Sequence, residues 1–391
     1  MLAVRRGILA VAASVVAASL LVLTACTGPP APAARSQSSS PARPTALEQR
    51  VAAELAGMTL EQRIASMLML HVPGTDAGTL RAFVEQYEPG GFILMGDNVP
   101  GLAGLPAVTS ALSPDPSLPL LIGIDQEGGE VQRIDEDVFA AADTLKHEPP
   151  VATQTAFAGR AAMLAAAGCS VNFGIVADET ADPSSFIYER ALGTTPADAA
   201  ERVAAAVTGE RGAVLSTLKH FPGHGQAPGD SHSTVPTTAI SAEEWAASDA
   251  LPFAAGIAAG AEVVMFGHLV YSAVDQSPAT LSAAWHERLR DDLGFTGITI
   301  TDDMLMLQHT GLPEYQDPSE NAIRAVLAGN SMLLYVLGTD PSSTGVDPAV
   351  LVADIAAAVR SGRIPEGLIA EQAEHLLRVR AALPAMAPLS R

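Results

Sequence analysis

Short apolar runs alternate along the chain with longer, Ala-rich stretches whose apolar positions recur at helical spacing. The runs are Met67–Leu70, Gly91–Met95, Leu120–Ile124, Ser170–Ile175, Val214–Leu218, Glu262–Phe266, Gly297–Thr301 and Met332–Val336. Runs that are apolar on both faces belong to strands of a parallel sheet covered by helices. Between them, Thr153–Ala167, Ala197–Gly212, Ala242–Ala259, Ala283–Asp292 and Ser319–Ala328 predict helices, and Pro348–Arg360 and Pro365–Ala382 predict two more that close the domain. Eight strand-then-helix units without a composition break predict an α/β fold, a single (β/α)8 TIM barrel, in preference to an open doubly wound sheet. No motif recurs at a fixed spacing of the kind that marks a solenoid.

The first 45 residues follow another pattern. Arg5 and Arg6 precede an uncharged run, Gly7–Ala25, that ends in Leu23-Thr24-Ala25-Cys26. A basic start, an apolar core and small residues before a cysteine predict a signal peptide over residues 1–25. The junction resembles the lipobox of bacterial lipoproteins, which implies lipidation of Cys26; a plain signal anchor with an incidental cysteine is the alternative. Residues 26–45 are rich in Pro, Ala and Ser and carry little apolar surface to bury, so they read as a flexible tether. The folded domain is expected over residues 46–391, outside the cytoplasm and lipid-anchored to the cell membrane.

Composition narrows the partners. A chain of 391 residues with 48% hydrophobic positions buries a large core, which excludes a disordered or disulfide-stapled protein. Lys+Arg total 22 against 43 Asp+Glu, a net charge of −21, and such a surface repels nucleic acid. For the same reason a lipid tether would hold by its acyl chains, without attraction to anionic headgroups. The two cysteines, Cys26 and Cys169, sit in dissimilar surroundings; no disulfide is expected, and Cys169 reads as a buried thiol.

Polar side chains cluster where the strands end: Asp125, Asp178, Lys219 with His220, His268, and Asp302 with Asp303. A parallel barrel gathers these ends at one face, so residues far apart in sequence converge. The segment after the fifth run, Lys219-His220-Phe221-Pro222-Gly223-His224-Gly225-Gln226-Ala227-Pro228-Gly229-Asp230-Ser231-His232, is the richest in chemistry. His220 and His224 have the spacing of two zinc ligands on a helix, but Pro222, Gly223 and Gly225 oppose a helix there, so no metal or other cofactor is expected. Asp230 and His232 suit acid–base work, because a carboxylate beside an imidazole orients it and favours its protonated form. Composition alone leaves that reading level with a polar surface loop.

The same segments carry a resemblance. KHFPGHG followed by Asp230-Ser231-His232 is similar to the signature of glycoside hydrolase family 3, the NagZ-type β-N-acetylglucosaminidases. Ile124-Asp125-Gln126-Glu127-Gly128-Gly129 with Val131-Gln132-Arg133 resembles another of its motifs, as do Gly90–Leu94 and Leu293–Ile298 with Thr301–Met304. The resemblance implies a (β/α)8 barrel and a retaining β-N-acetylhexosaminidase. It implies Asp302 as nucleophile, His232 as acid/base with Asp230 as its partner, and Asp125, Arg133, Arg190, Lys219 and His220 as sugar-binding residues. The choice of Asp302 over Asp303 rests on it, because both faces of a barrel strand are buried and alternation does not choose; Asp303 reads as a structural carboxylate capping the next turn. Glu130 stands where the family usually has Arg, the segment Phe186–Gly193 follows the family's pattern only in part, the proline usual near Asn172–Asp178 is missing, and Ser331 replaces a common Asp.

The expected function is removal of terminal β-linked N-acetylglucosamine from peptidoglycan fragments by a lipoprotein acting as a monomer, without a second C-terminal domain. A phosphorylase using inorganic phosphate is the alternative, and a sugar-binding lipoprotein without catalysis a weaker one. Trp245 and Trp285 lie on predicted helices and read as packing residues. With 4% aromatics, a pocket for one terminal sugar fits better than a long stacking groove.

Overall fold

The computed structural model describes residues 44–383, so the predicted signal peptide, Cys26 and nearly all of the tether lie outside the described residues. The barrel strands are β1 Leu68–Leu70, β2 Gly91–Leu94, β3 Leu121–Ile124, β4 Val171–Val176, β5 Leu215–Phe221, β6 Val263–Phe266, β7 Ile298–Thr301 and β8 Leu333–Tyr335. Successive strands pair in parallel and β8 pairs with β1. β7 meets β8 at the Ile300–Met332 bridge, where Met332 N–H donates to Thr299 O at 3.0 Å. The sheet is therefore closed, which leaves no exposed strand edge in the barrel.

Helices follow the strands in the predicted alternation. Three starts are written in the sequence: Thr195, Asp317 and Asp347 cap helices Pro196–Glu210, Pro318–Ala328 and Pro348–Arg360, each with proline in the first turn. At the amino end, Thr45 and Glu48 form a reciprocal capping box for helix Ala46–Gly57, which packs against Glu366–Ala382.

Two predicted boundaries are corrected. β5 continues past Leu218 to Phe221, so Lys219 and His220 are strand residues, hydrogen-bonded within the sheet and buried. Their polarity suggested a strand end, but buried acidic partners accommodate it. The helix expected over Ala242–Ala259 is two, Ala242–Ala247 and Ala250–Ala259. Between them Ser248 Oγ bonds Glu244 O at 2.7 Å and Asp249 Oδ2 at 2.9 Å, local bonds that compete with helix continuation.

One aromatic cluster fixes the base of the loop after β5. Phe221, Trp245, Tyr271 and Trp285 meet edge to face, and both tryptophans are buried, as packing residues should be. Trp245 Nε1–H donates to Pro222 O at 2.9 Å and the Tyr271 hydroxyl to Gly223 O at 2.5 Å. Gly223 (φ 134°) could not carry a side chain, whose Cβ would fall 2.7 Å from Asp249 Oδ1. Cys169 is buried, and burial pushes its thiol up to about 12.

Candidate active site

Asp125 and Glu127 stand two residues apart just beyond β3, the spacing that puts two side chains on one side of an extended segment. Lys219 Nζ, from β5, lies 2.8 Å from Asp125 Oδ1 and 2.6 Å from Glu127 Oε1. Arg190 grips Glu127 through two nitrogens at 2.9 and 2.7 Å, and Arg133 reaches Asp125 Oδ2 at 3.2 Å. The result is a ladder of alternating charge, Arg133, Asp125, Lys219, Glu127, Arg190.

Gln126 holds this ladder in place from beneath. It is fully buried; its Oε1 accepts the Arg133 and Ile134 N–H groups at 2.9 and 3.0 Å, and its Nε2 donates to Asp137 at 2.9 Å. Asp137 in turn is paired with the buried Arg160 at 2.6 Å. Burial alone would raise the Asp125 carboxyl, but the Lys219 and Arg133 charges outweigh it and hold it near about 2. Glu127 is lowered by Lys219 and Arg190 against the same opposing burial, and Lys219 is raised by its two carboxylates although desolvation pulls it down. Asp125, Glu127 and Lys219 are therefore charged at neutral pH. Their remaining N–H groups and carboxylate lone pairs suit sugar hydroxyl and amide groups.

A second group lies across the barrel mouth. Asp178 is fully buried and accepts His220 Nδ1–H at 2.7 Å together with the His220 and His224 backbone N–H groups at 3.0 and 2.6 Å. At the end of β7, Asp302 Oδ1 accepts the Asp303 N–H at 2.8 Å. Burial raises the Asp302 carboxyl, and the nearby His220 and His268 reverse that, so it is ionised at neutral pH. Asp303 differs: its Oδ1 accepts the Leu305 and Val336 N–H groups at 3.1 Å each, the predicted structural role. Burial pushes Asp303 up to about 7. His268 is tied down on both nitrogens, to Thr280 Oγ1 and Asp303 O, each at 2.9 Å.

The loop after β5 carries Asp230 and His232. His232 Nδ1–H donates to Asp230 Oδ1 at 2.6 Å, and the His232 N–H donates to the same oxygen at 3.0 Å, so Nε2 is the ring nitrogen turned away from Asp230. This pair is far more exposed than the Asp178–His220 pair, with side-chain exposures of 62% for His232 and 45% for Asp230. Phe186 supports it: its ring meets His232 edge to face with centroids 5.6 Å apart, touches His224 at 5.6 Å, and lies 5.5 Å from the Arg190 guanidinium. Gly225 admits the close approach of this loop to its neighbour, since a Cβ there would sit 1.7 Å from Glu179 O.

The structure thus gathers Asp125, Arg133, Arg190 and Lys219 into one cluster, puts His220 on Asp178, and pairs His232 with Asp230. Glu127, Gln126 and Phe186 were not singled out from sequence; for Glu127 the two-residue spacing from Asp125 was the available signal. Glu130 is exposed on the turn beyond the ladder. Among the described residues, no group of three or more His, Cys, Asp or Glu side chains is placed to hold a metal ion.

Residues 59–379 match the model of the glycosyl hydrolase family 3 N-terminal domain. A β-hexosaminidase of Xylella fastidiosa (strain M23) is 34% identical over 259 residues, covering 63% of this chain and 77% of its own length. One from Methylococcus capsulatus (strain ATCC 33009 / NCIMB 11132 / Bath) is 34% identical over 265 residues, covering 65% of this chain and 77% of its own. Among solved structures, a family 3 β-N-acetylglucosaminidase of Paenibacillus sp. str. FPU-7 superposes with a TM-score of 0.76 at 30% identity, over 84% of this chain and 63% of the Paenibacillus chain. M tuberculosis LpqI gives a TM-score of 0.73 at 26% identity, over 83% of this chain and 95% of that one. The matched span covers the whole barrel and every strand end that carries the charge ladder and the histidine pairs, so the chain belongs to glycosyl hydrolase family 3 and is a glycosidase.

Proposed function

We propose that this chain is a retaining exo-β-N-acetylglucosaminidase that removes terminal β-linked N-acetylglucosamine from peptidoglycan fragments. The observations that support the reading are an ionised Asp302 at the end of β7 and an exposed Asp230–His232 pair on the loop after β5. Asp302 attacks the anomeric carbon while His232 Nε2–H protonates the leaving oxygen. His232 then takes a proton from the water that attacks the glycosyl ester, and Asp302 leaves as carboxylate. Asp230 keeps the imidazole in the tautomer that presents Nε2 and stabilises its cation. Asp125, Arg133, Arg190, Lys219 and His220 bind the sugar. The β-hexosaminidase names of the relatives support the amino-sugar specificity. The reading includes export and lipidation at Cys26, on the strength of the amino-terminal sequence.

Incubation with a 5-fluoro β-N-acetylglucosaminide, digestion and mass spectrometry test the assignment. The expected result is a sugar adduct on the peptide bearing Asp302 and a loss of activity of at least about 10³-fold in Asp302→Ala. An Asp302→Ala protein with full activity would sink it. The same assay run with and without inorganic phosphate distinguishes hydrolysis, which releases free sugar, from phosphorolysis, which releases sugar 1-phosphate.

A further inference from the structure

Of residues 228–234, which carry the Asp230–His232 pair, only Ser231 is buried; the others are exposed or half-buried. Asp230 O accepts the Ser233 and Thr234 N–H groups at 3.2 and 3.0 Å, and the side chains of Asp230, His232 and Thr234 likewise bond within the turn. Among the described residues, the hydrogen bond that leaves the turn joins Ser231 Oγ to His224 Nε2, at 3.3 Å. We propose that His224 is a positioning residue: through Ser231 it fixes the turn that carries His232, and so sets where the acid's proton is delivered.

The inference rests on the assignment of His232 as acid/base and adds what holds it in place. An exposed imidazole on a Gly- and Pro-rich loop is not fixed by packing of its own, so its orientation comes from the turn beneath it. His224 can serve as the fixed point because the barrel holds it. Its backbone N–H donates to the buried Asp178 at 2.6 Å, and its ring meets those of His220 and Phe186 with centroids 6.1 and 5.6 Å apart. Phe186 touches the His232 ring as well, at 5.6 Å, so it bridges the anchor and the acid. Burial lowers the pKa of the His224 ring against the pull of Asp178, which keeps the ring neutral at neutral pH. A neutral imidazole and a hydroxyl can each donate or accept, so the bond to Ser231 forms in either tautomer. Releasing the turn displaces the acid, and a misplacement of about 1 Å is enough for roughly 10²-fold in rate.

The test measures kcat/KM, which reports formation of the glycosyl-enzyme, for two β-N-acetylglucosaminides that differ in leaving group. A phenyl glycoside needs its leaving oxygen protonated; a dinitrophenyl glycoside does not. Replacing the acid itself, His232→Ala, should cost the phenyl glycoside about 10²-fold or more and the dinitrophenyl glycoside far less. Ser231→Ala and His224→Phe remove the bond from either side. Each should show the same split, about ten- to hundredfold on the phenyl glycoside and under about threefold on the dinitrophenyl one, whose turnover also shows that the variant is folded. The double variant should lose no more than the worse single one, because both delete one bond. His224→Gln, whose amide reaches the place of Nε2, should restore most of the phenyl rate. Equal losses on the two glycosides in Ser231→Ala and His224→Phe, no loss on either, or additive losses in the double variant would overturn the anchor. Absence of a split in His232→Ala itself would remove the acid assignment and the inference with it, whereas a split in His232→Ala alone would overturn the anchor and leave the assignment standing.

Discussion

Glu210, the last residue of helix Pro196–Glu210, is fully buried, and replacing it with Gln should stabilise the protein more as pH rises. Its Oε1 accepts Asn172 Nδ2–H at 2.6 Å, while Oε2 and the nearby Ser216 Oγ are buried without a hydrogen bond of good geometry. Burial pushes the carboxyl up from 4.5 to about 8, with the Asn172 and Ser216 side chains offsetting part of the effect. The sign follows from linkage. Below about pH 4.5 the folded and unfolded chains both keep this proton; above it the unfolded chain releases the proton and the folded chain does not, so stability falls until about pH 8. At about 1.4 kcal/mol per unit, the loss by pH 7 is about 3 kcal/mol. Glu210→Gln removes it, because the amide still accepts from Asn172, can donate to Ser216, and does not ionise in the unfolded chain. Urea unfolding of both proteins at pH 5, 6, 7 and 8 should show a gain below about 1 kcal/mol at pH 5 that grows to about 3 at pH 7. A difference independent of pH, or a variant less stable at pH 7, would refute the neutral, buried state of Glu210.

Glu127→Gln keeps the shape of the ladder and removes the charge shared by Lys219 and Arg190. Losing charge-assisted bonds worth about 1.5–3 kcal/mol should raise KM roughly ten- to hundredfold with a smaller fall in kcat; a fall in kcat at constant KM would mean lost folded protein instead. Asp230→Asn should lower kcat by about 10² or more in steady-state assays with little change in KM, since the ring loses its orienting carboxylate but the sugar cluster is untouched. Trp245→Phe deletes the donor to Pro222 O inside the aromatic cluster, so denaturant unfolding should register a loss of about 1–3 kcal/mol.

The barrel was legible because its strands are buried on both faces and three of its helices, Pro196–Glu210, Pro318–Ala328 and Pro348–Arg360, begin with Pro after Thr or Asp. The same burial hid the end of β5. Lys219 and His220 are polar by sequence and interior by structure, and what makes them interior is an acidic partner just past the end of another strand: Asp125 and Glu127 for the lysine, Asp178 for the histidine. Pairings of that kind have no local signature. Arg190 shows the same limit. Its surrounding segment follows the family pattern only in part, yet two hydrogen bonds to Glu127 bring it into the cluster. Asp303 was readable because its role is local, a carboxylate bonding the N–H two residues on.

The chain holds two histidine–carboxylate pairs of nearly identical geometry, with Nδ1 to carboxylate distances of 2.7 Å for His220 and 2.6 Å for His232. Distance does not distinguish them; their surroundings differ. Asp178 spends both oxygens on the barrel, accepting two backbone N–H groups as well as the ring, so His220 is clamped on β5 beside Asp302, where it helps to keep that carboxylate ionised. Asp230 holds His232 on a Gly- and Pro-rich loop that solvent reaches. An acid/base must give its proton to a leaving group and then meet an incoming water at the same place, and only a group that water can approach does both. The exposure of His232 agrees with the acid/base role proposed for it. The burial of His220 is what suits a fixed donor and a source of field at the nucleophile.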